Sequence, residues 1–187
     1  QLVREAYFGR RWLKRTFPGA DAKVYFNPDV PGRAAQMPQI LAKAGIPYLL
    51  MSRYHEGLYR WESPDGSSVL AYSPGHYGNA AAYLNAPPAE GAKAIAEKVA
   101  KWKGYYVSRG LPAEYPLLNS VDFSQPTDFG PLIRYWNGGG AVPDGGRPVM
   151  QYSTARKFFE VFRGKDDFRM GEKGRVLGLC SHCLLLR

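Results

Sequence analysis

The sequence has no apolar run approaching the roughly 18 residues that a bilayer-spanning helix needs, so no membrane-embedded segment is expected. Cysteine is scarce. Cys180 and Cys183 form a single C-x-x-C with no second pair and no thioredoxin-like strand–turn–helix around it, and two incidental thiols are expected rather than a zinc site. No repeat recurs at solenoid or propeller periods. The chain opens at Gln1 with neither an initiator Met nor a signal-peptide pattern. It is therefore expected to be a fragment whose natural start lies upstream, and its compartment is not legible there. Acidic residues are under-represented, 16 against 25 Lys and Arg, for a formal charge of +9. That excess sits at the ends: Arg4, Arg10, Arg11, Lys14 and Arg15 face one Glu in residues 1–15. The middle is nearly balanced. No basic stripe interleaved with aromatics runs along the chain, and a nucleic-acid partner is not expected.

What is present suits a folded domain. Apolar residues make up 45% of the 187, with four Trp, thirteen Tyr and nine Phe, enough for a sizeable core. Leu2 to Phe17 reads as a helix with Leu2, Tyr7, Leu13 and Phe17 as its buried contacts. Val24 to Asn27 reads as a short strand. Met37, Ile40, Leu41 and Ala44 then recur at i, i+3, i+4 and i+7, one face of a helix stopped by Gly45. Tyr48 to Ser52 is a continuous apolar run, as expected of a parallel strand buried on both faces. The next two strands, Leu58 to Trp61 and Ser68 to Tyr72, flank Asp65-Gly66, a strong hairpin signal.

Pro74 to Pro88 reads as a long loop, and loops of that length are commonly functional. Ile95, Val99, Trp102 and Tyr106 mark an amphipathic helix between Ala89 and Ser108. Tyr115 to Val121 is the next strand. Thr127 is placed to cap a helix carrying Phe129, Leu132, Ile133 and Trp136, and Ser153 to cap a last helix from Thr154 to Phe162, after a strand from Val149 to Tyr152. This alternation predicts an α/β fold with a mostly parallel sheet, part of a barrel.

Ligands of such folds bind at the carboxyl ends of the strands. Asp29 comes two residues after the first strand, Arg53 directly after the second, His76 and Tyr77 beyond the hairpin, and Asp122 directly after the Tyr115 to Val121 strand. Each has an ordinary structural reading: a turn-closing Asp, an Arg paired with Glu56 or Asp29, a surface His, a Tyr over the core. Brought to one rim, two carboxylates with a cation and a phenol suit acid/base or nucleophilic chemistry.

The segment Asp29-Val-Pro-Gly-Arg-Ala-Ala-Gln-Met-Pro-Gln-Ile-Leu-Ala-Lys-Ala-Gly-Ile46, then Met51-Ser-Arg53 and Trp61-Glu-Ser-Pro-Asp-Gly-Ser-Ser-Val-Leu70, resembles the N-terminal catalytic domain of glycoside hydrolase family 38, the α-mannosidases. Asn119-Ser-Val-Asp122-Phe and Tyr152-Ser-Thr-Ala-Arg-Lys-Phe-Phe159 resemble two later segments. The likeness runs from about Tyr7 to Phe162 and is looser after Tyr77. It implies a partial seven-stranded β/α barrel of mostly parallel strands, here an incomplete catalytic domain over residues 1–170 followed by an aberrant or unstructured tail over 171–187. It also implies retaining hydrolysis of α-mannosidic bonds in a mannose-containing oligosaccharide or glycoside, with a zinc ion.

Carried over position by position, Asp29 matches the nucleophile, which is also a zinc ligand. Asp122 matches the general acid/base, Arg53 the arginine beside the nucleophile, and Tyr77 approximately an active-site tyrosine. Retention needs two carboxyl groups roughly 5–5.5 Å apart, one to attack and one to protonate the leaving oxygen. The family's usual Phe-Gly-His-Ser is replaced here by Pro31-Gly32-Arg33-Ala34. Its His-x-Asp zinc motif is expected upstream of Gln1 and its remaining zinc His downstream of Arg187, so only Asp29 of four ligands is present. The isolated chain is therefore expected to be inactive or nearly so. The alternatives are a non-catalytic carbohydrate-binding relative and another metal-dependent barrel hydrolase such as a deacetylase, although the sequence has no His-x3-His pair.

Overall fold

A computed structural model describes the chain except residues 31, 120, 121, 124, 141–147, 165–182 and 187, with 183–186 described by their backbone alone. The chain divides into two compact units, one built from Gln1–Gly75 and the other from residues 76–164 with strand 183–186.

The first unit runs α1 (Leu2–Thr16), β1 (Val24–Asn27), α2 (Met37–Lys43), β2 (Tyr48–Met51), β3 (Gly57–Glu62) and β4 (Ser68–Ser73). The four strands form one sheet in the order β1-β2-β4-β3. β1 pairs with β2, and β2 with β4, in parallel, whereas β3 returns antiparallel along β4. All four residues of β2 are buried, which is why its sequence is a continuous apolar run rather than an alternating one. Leu49, Leu50, Met51, Ala71 and Tyr72 form the centre, with Met37 and Leu41 of α2 laid over them. Burying a Leu or Met side chain of this kind stabilises by about 1.5–3 kcal/mol. At the tip of the β3–β4 hairpin, Ser63 N–H donates to Ser67 O at 2.8 Å and Gly66 N–H to Ser63 O at 2.9 Å. Gly66 adopts φ +80°, a left-handed turn conformation that favours glycine.

α1 departs from expectation. Leu2, Tyr7 and Phe17 are exposed, Leu13 is half-buried, and no residue of the helix is fully buried. One polar contact joins the helix to the segments that follow it. The Arg10 guanidinium lies over Gly45, where a Cβ would approach it to 2.7 Å, and pairs with Asp21 at 3.3 Å.

The second unit runs α3 (Ala81–Leu84), α4 (Pro88–Val107), β5 (Tyr115–Leu118), α5 (Gly130–Asn137), β6 (Met150–Tyr152), α6 (Ala155–Val161) and β7 (Cys183–Leu186). Its core is aromatic. Trp102 of α4 packs on Tyr115 of β5 at 5.2 Å, Tyr106 on Phe162 at 5.9 Å, and Phe158 on Phe162 at 5.2 Å between ring centroids. Pairs of this kind add about 0.5–1.5 kcal/mol each beyond their burial. Trp136 is also fully buried, and its indole N–H donates to Pro148 O at 2.7 Å.

Several boundaries differ from the sequence reading. The 74–88 loop contains α3. β5 stops at Leu118, so Asp122 lies four residues beyond it rather than directly after a longer strand. Thr127 does not cap α5; its hydroxyl donates to Asn85 Oδ1 at 3.0 Å, and the helix begins at Gly130. Thr154, not Ser153, caps α6, accepting from Lys157 N–H at 3.2 Å. The expected tail boundary at 171 and Cys180 of the C-x-x-C lie outside the described residues.

The expected partial seven-stranded barrel is not what the described strands form. One unit holds an open four-stranded sheet. The other holds a three-stranded sheet in the order β5-β7-β6, with both pairings antiparallel. Parallel closure fails in the first sheet because β3 turns back through a tight hairpin, and in the second because β7 runs antiparallel between β5 and β6.

Candidate active site

Parallel pairing of β1, β2 and β4 brings their carboxyl ends to one edge of the sheet. Asn27 pairs with Met51, and Leu50 with Tyr72. The turns that follow are joined by polar contacts. Arg53 N–H donates to Gly75 O at 2.8 Å, and the Ser73 hydroxyl donates to Tyr54 O at 3.1 Å. That hydroxyl also accepts from Gly75 N–H at 3.1 Å.

Asp29 and Arg53 meet at this edge. Arg53 Nε donates to Asp29 Oδ1 at 2.5 Å, and Arg53 Nη2 pairs with the same oxygen. Both side chains are partly exposed, 41% for Arg53 and 46% for Asp29, so the pair orients more than it stabilises. Both residues also have positive φ, +22° for Asp29 and +58° for Arg53. Non-glycine residues in that region carry backbone strain, and such strain concentrates at functional positions.

Arg33, which the sequence reading left without a role, belongs to the same turn. Its Nη2 donates to Asn27 O at 2.9 Å and to Asn27 Oδ1. Asn27 Nδ2 in turn donates to the Tyr25 hydroxyl at 3.3 Å. Burial pulls the Arg33 guanidinium down to about 10, opposed by the neighbouring Tyr25 phenol, and it remains a cation at neutral pH. The available signal was an Arg four residues past the candidate nucleophile, in a glycine-containing turn.

The second unit brings Tyr77 and Asp122 together. Tyr77 is buried, stacks on His76 with ring centroids 4.3 Å apart, and its hydroxyl donates to Asp122 Oδ2 at 3.1 Å. Asp122 itself is exposed, on a turn whose next residue, Phe123, has φ +63° and is fully exposed. Around the end of β5, Asn85 Nδ2 donates to Ala81 O at 2.8 Å and to the buried Asn119 Oδ1 at 3.2 Å. The candidate residues thus form two pairs, Asp29 with Arg53 and Tyr77 with Asp122, each within one unit.

The zinc implied by the resemblance does not fit the residues described. Among them no group of three or more His, Cys, Asp or Glu is arranged to hold a metal ion. Asp29 is one carboxylate, already engaged by a guanidinium, where a zinc site needs three or four protein ligands.

Residues 1–172 match the model of the glycosyl hydrolases family 38 N-terminal domain. Over 81 residues, 39% of this chain, the sequence is 30% identical to alpha-mannosidase G of Dictyostelium discoideum. It is 30% identical over the same length to an alpha-mannosidase of Saccharomyces cerevisiae. The matched stretch spans 7% of each of these relatives. No solved structure matches the chain.

Proposed function

The chain belongs to glycosyl hydrolase family 38 through its N-terminal domain, and from that premise we propose that it contributes to retaining hydrolysis of α-mannosidic bonds. Asp29 is the nucleophile and Asp122 the general acid/base. Arg53 orients the attacking carboxylate, and Tyr77 positions the carboxyl of Asp122. The observation that carries this reading is the Asp29–Arg53 contact at the carboxyl edge of a parallel sheet, at 2.5 Å from Arg53 Nε.

The chemistry follows from these groups. A carboxylate held by a guanidinium presents its charge in one direction, suited to attack on an anomeric carbon. A second carboxyl delivers a proton to the leaving oxygen, then takes one from the water that hydrolyses the glycosyl-enzyme. Retention requires the two carboxyl groups to approach within roughly 5–5.5 Å. Asp29 alone does not make the zinc site that the family likeness implies.

The test is hydrolysis of 4-nitrophenyl α-mannoside, with the anomer first released followed by NMR. The protein carrying the whole family domain is expected to release the α-anomer, and Asp29→Asn and Asp122→Asn to abolish release. Release of the β-anomer, or full activity in Asp29→Asn, refutes the assignment. The 187-residue chain alone is expected to show little or no turnover, and zinc-dependent mannose release by it would contradict that expectation.

A further inference from the structure

Both polar atoms of the Asn85 side chain are engaged. Its Nδ2 donates to Ala81 O at 2.8 Å and to Asn119 Oδ1 at 3.2 Å, and its Oδ1 accepts from the Thr127 hydroxyl at 3.0 Å. An ionised Asp has no donor and Leu has neither kind of group, so this pattern calls for an amide. Asn119 and Thr127 bracket Asp122 in the chain. One side chain thus ties together the two ends of the segment that carries the candidate acid/base.

The platform behind Asn85 is fixed. Asn85 ends α3, where its backbone N–H also donates to Ala81 O at 3.0 Å. Ala80 and Leu84 are buried, and Ala80 N–H donates to Leu118 O at 3.3 Å, joining the start of α3 to the end of β5. From the same stretch of chain, the Tyr77 hydroxyl donates to Asp122 Oδ2 at 3.1 Å. Tyr77 therefore grips the carboxyl, and Asn85 holds the ends of the segment on which that carboxyl is carried. Asp122 is itself exposed, and closing the ends of such a segment restricts where it can go.

We propose that Asn85 is a positioning residue for Asp122: by joining Asn119 to Thr127 it keeps that carboxyl within reach of the leaving oxygen. This rests on the acid/base role proposed for Asp122. Misplacing a reacting group by about 1 Å costs on the order of 100-fold in rate. Loss of the clasp therefore acts on proton transfer to the leaving group.

The test is the leaving-group dependence of kcat/KM, measured on the protein carrying the whole family domain. The substrates are 2,4-dinitrophenyl α-mannoside, whose weakly basic leaving group departs without protonation, and 4-methylphenyl α-mannoside, whose leaving group needs it. Asp122→Asn is the reference, and is expected to slow the 4-methylphenyl substrate far more than the dinitrophenyl one. Asn85→Ala is expected to reproduce that selectivity, with a loss of about 10- to 100-fold on the first and less than about 3-fold on the second. Thr127→Val unties one end only and is expected to show a smaller selective loss. The double variant is expected to be no worse than Asn85→Ala, because both changes open the same clasp. Asn85 and Thr127 are exposed, so neither change removes a core contact.

An equal loss on both substrates in Asn85→Ala, or no loss on either, overturns the positioning role while a selective Asp122→Asn leaves the acid/base reading standing. If Asp122→Asn slows the two substrates alike, the acid/base reading falls and the proposal falls with it.

Discussion

Replacing Arg53 by glycine removes the side chain that reaches Asp29 and, in the same step, relieves a backbone held at φ +58°. The two effects oppose each other in stability. Left-handed backbone costs a non-glycine residue roughly 1–2 kcal/mol. Glycine returns about 0.5–1 kcal/mol of that through the freedom of its unfolded chain. The lost contact joins side chains that are 41% and 46% exposed, and exposed ion pairs contribute about 0.2–1 kcal/mol. Arg53→Gly should therefore lie within about 1 kcal/mol of the parent. Arg53→Ala loses the same ion pair and keeps the strained backbone, so it should fall below Arg53→Gly by roughly 0.5–1 kcal/mol. The Arg53 N–H to Gly75 O bond at 2.8 Å is a backbone contact and survives both changes.

Urea denaturation followed by tryptophan fluorescence reads the ordering as a shift in midpoint at constant slope. Sugar affinity is expected to drop alike in both variants, since both lack the guanidinium. An alanine variant as stable as the glycine variant would refute the argument that the backbone at position 53 is strained. Undiminished mannoside binding in either would refute the role given to the side chain.

Two further outcomes are expected. Gly91→Ala in α4 gains about 1 kcal/mol of helix propensity, but its Cβ would meet the Tyr83 carbonyl oxygen at 2.2 Å. Overpacking against backbone costs about 1–3 kcal/mol, so a lower denaturation midpoint is expected, and an equal or higher one refutes the close packing of α3 on α4. Asp65 accepts from Lys43 Nζ at 2.8 Å, Gln39 Nε2 at 2.6 Å and Ser67 N–H at 3.0 Å. Lys43 foremost, then these hydrogen bonds, hold its carboxyl well below the usual range. A depressed carboxyl stabilises the fold above its unfolded value of about 3.9 and loses that contribution as pH falls below it. Asp65→Asn should therefore flatten the acid limb of the stability profile below about pH 4, and parallel acid limbs for the two proteins would contradict this.

Local order was legible in the chain wherever one residue pattern admits one structure. The run Tyr48-Leu-Leu-Met51 demands a strand buried on both faces, Asp65-Gly66 a hairpin, and Ile95, Trp102 and Tyr106 one buried helix face. Asp29 and Arg53 could be placed on adjacent turns because consecutive parallel strands deliver their carboxyl ends to one edge. The family likeness, carried by short motifs around those turns, was legible for the same reason.

Other features are decided only by which segments meet. The C-terminal strand β7 pairs with β5 and β6, more than thirty residues before it in the chain, and no local pattern announces that. α1 carries apolar residues at helical spacing yet has no fully buried residue, because burial depends on the surface a helix meets and not on its own periodicity. No sequence feature assigned Arg33 a role, and only the fold shows Asn27 taking one of its nitrogens while two have no partner among the described residues. Sequence spacing constrains neighbours along an element, whereas desolvation and hydrogen-bond satisfaction depend on groups that only the folded chain brings into contact.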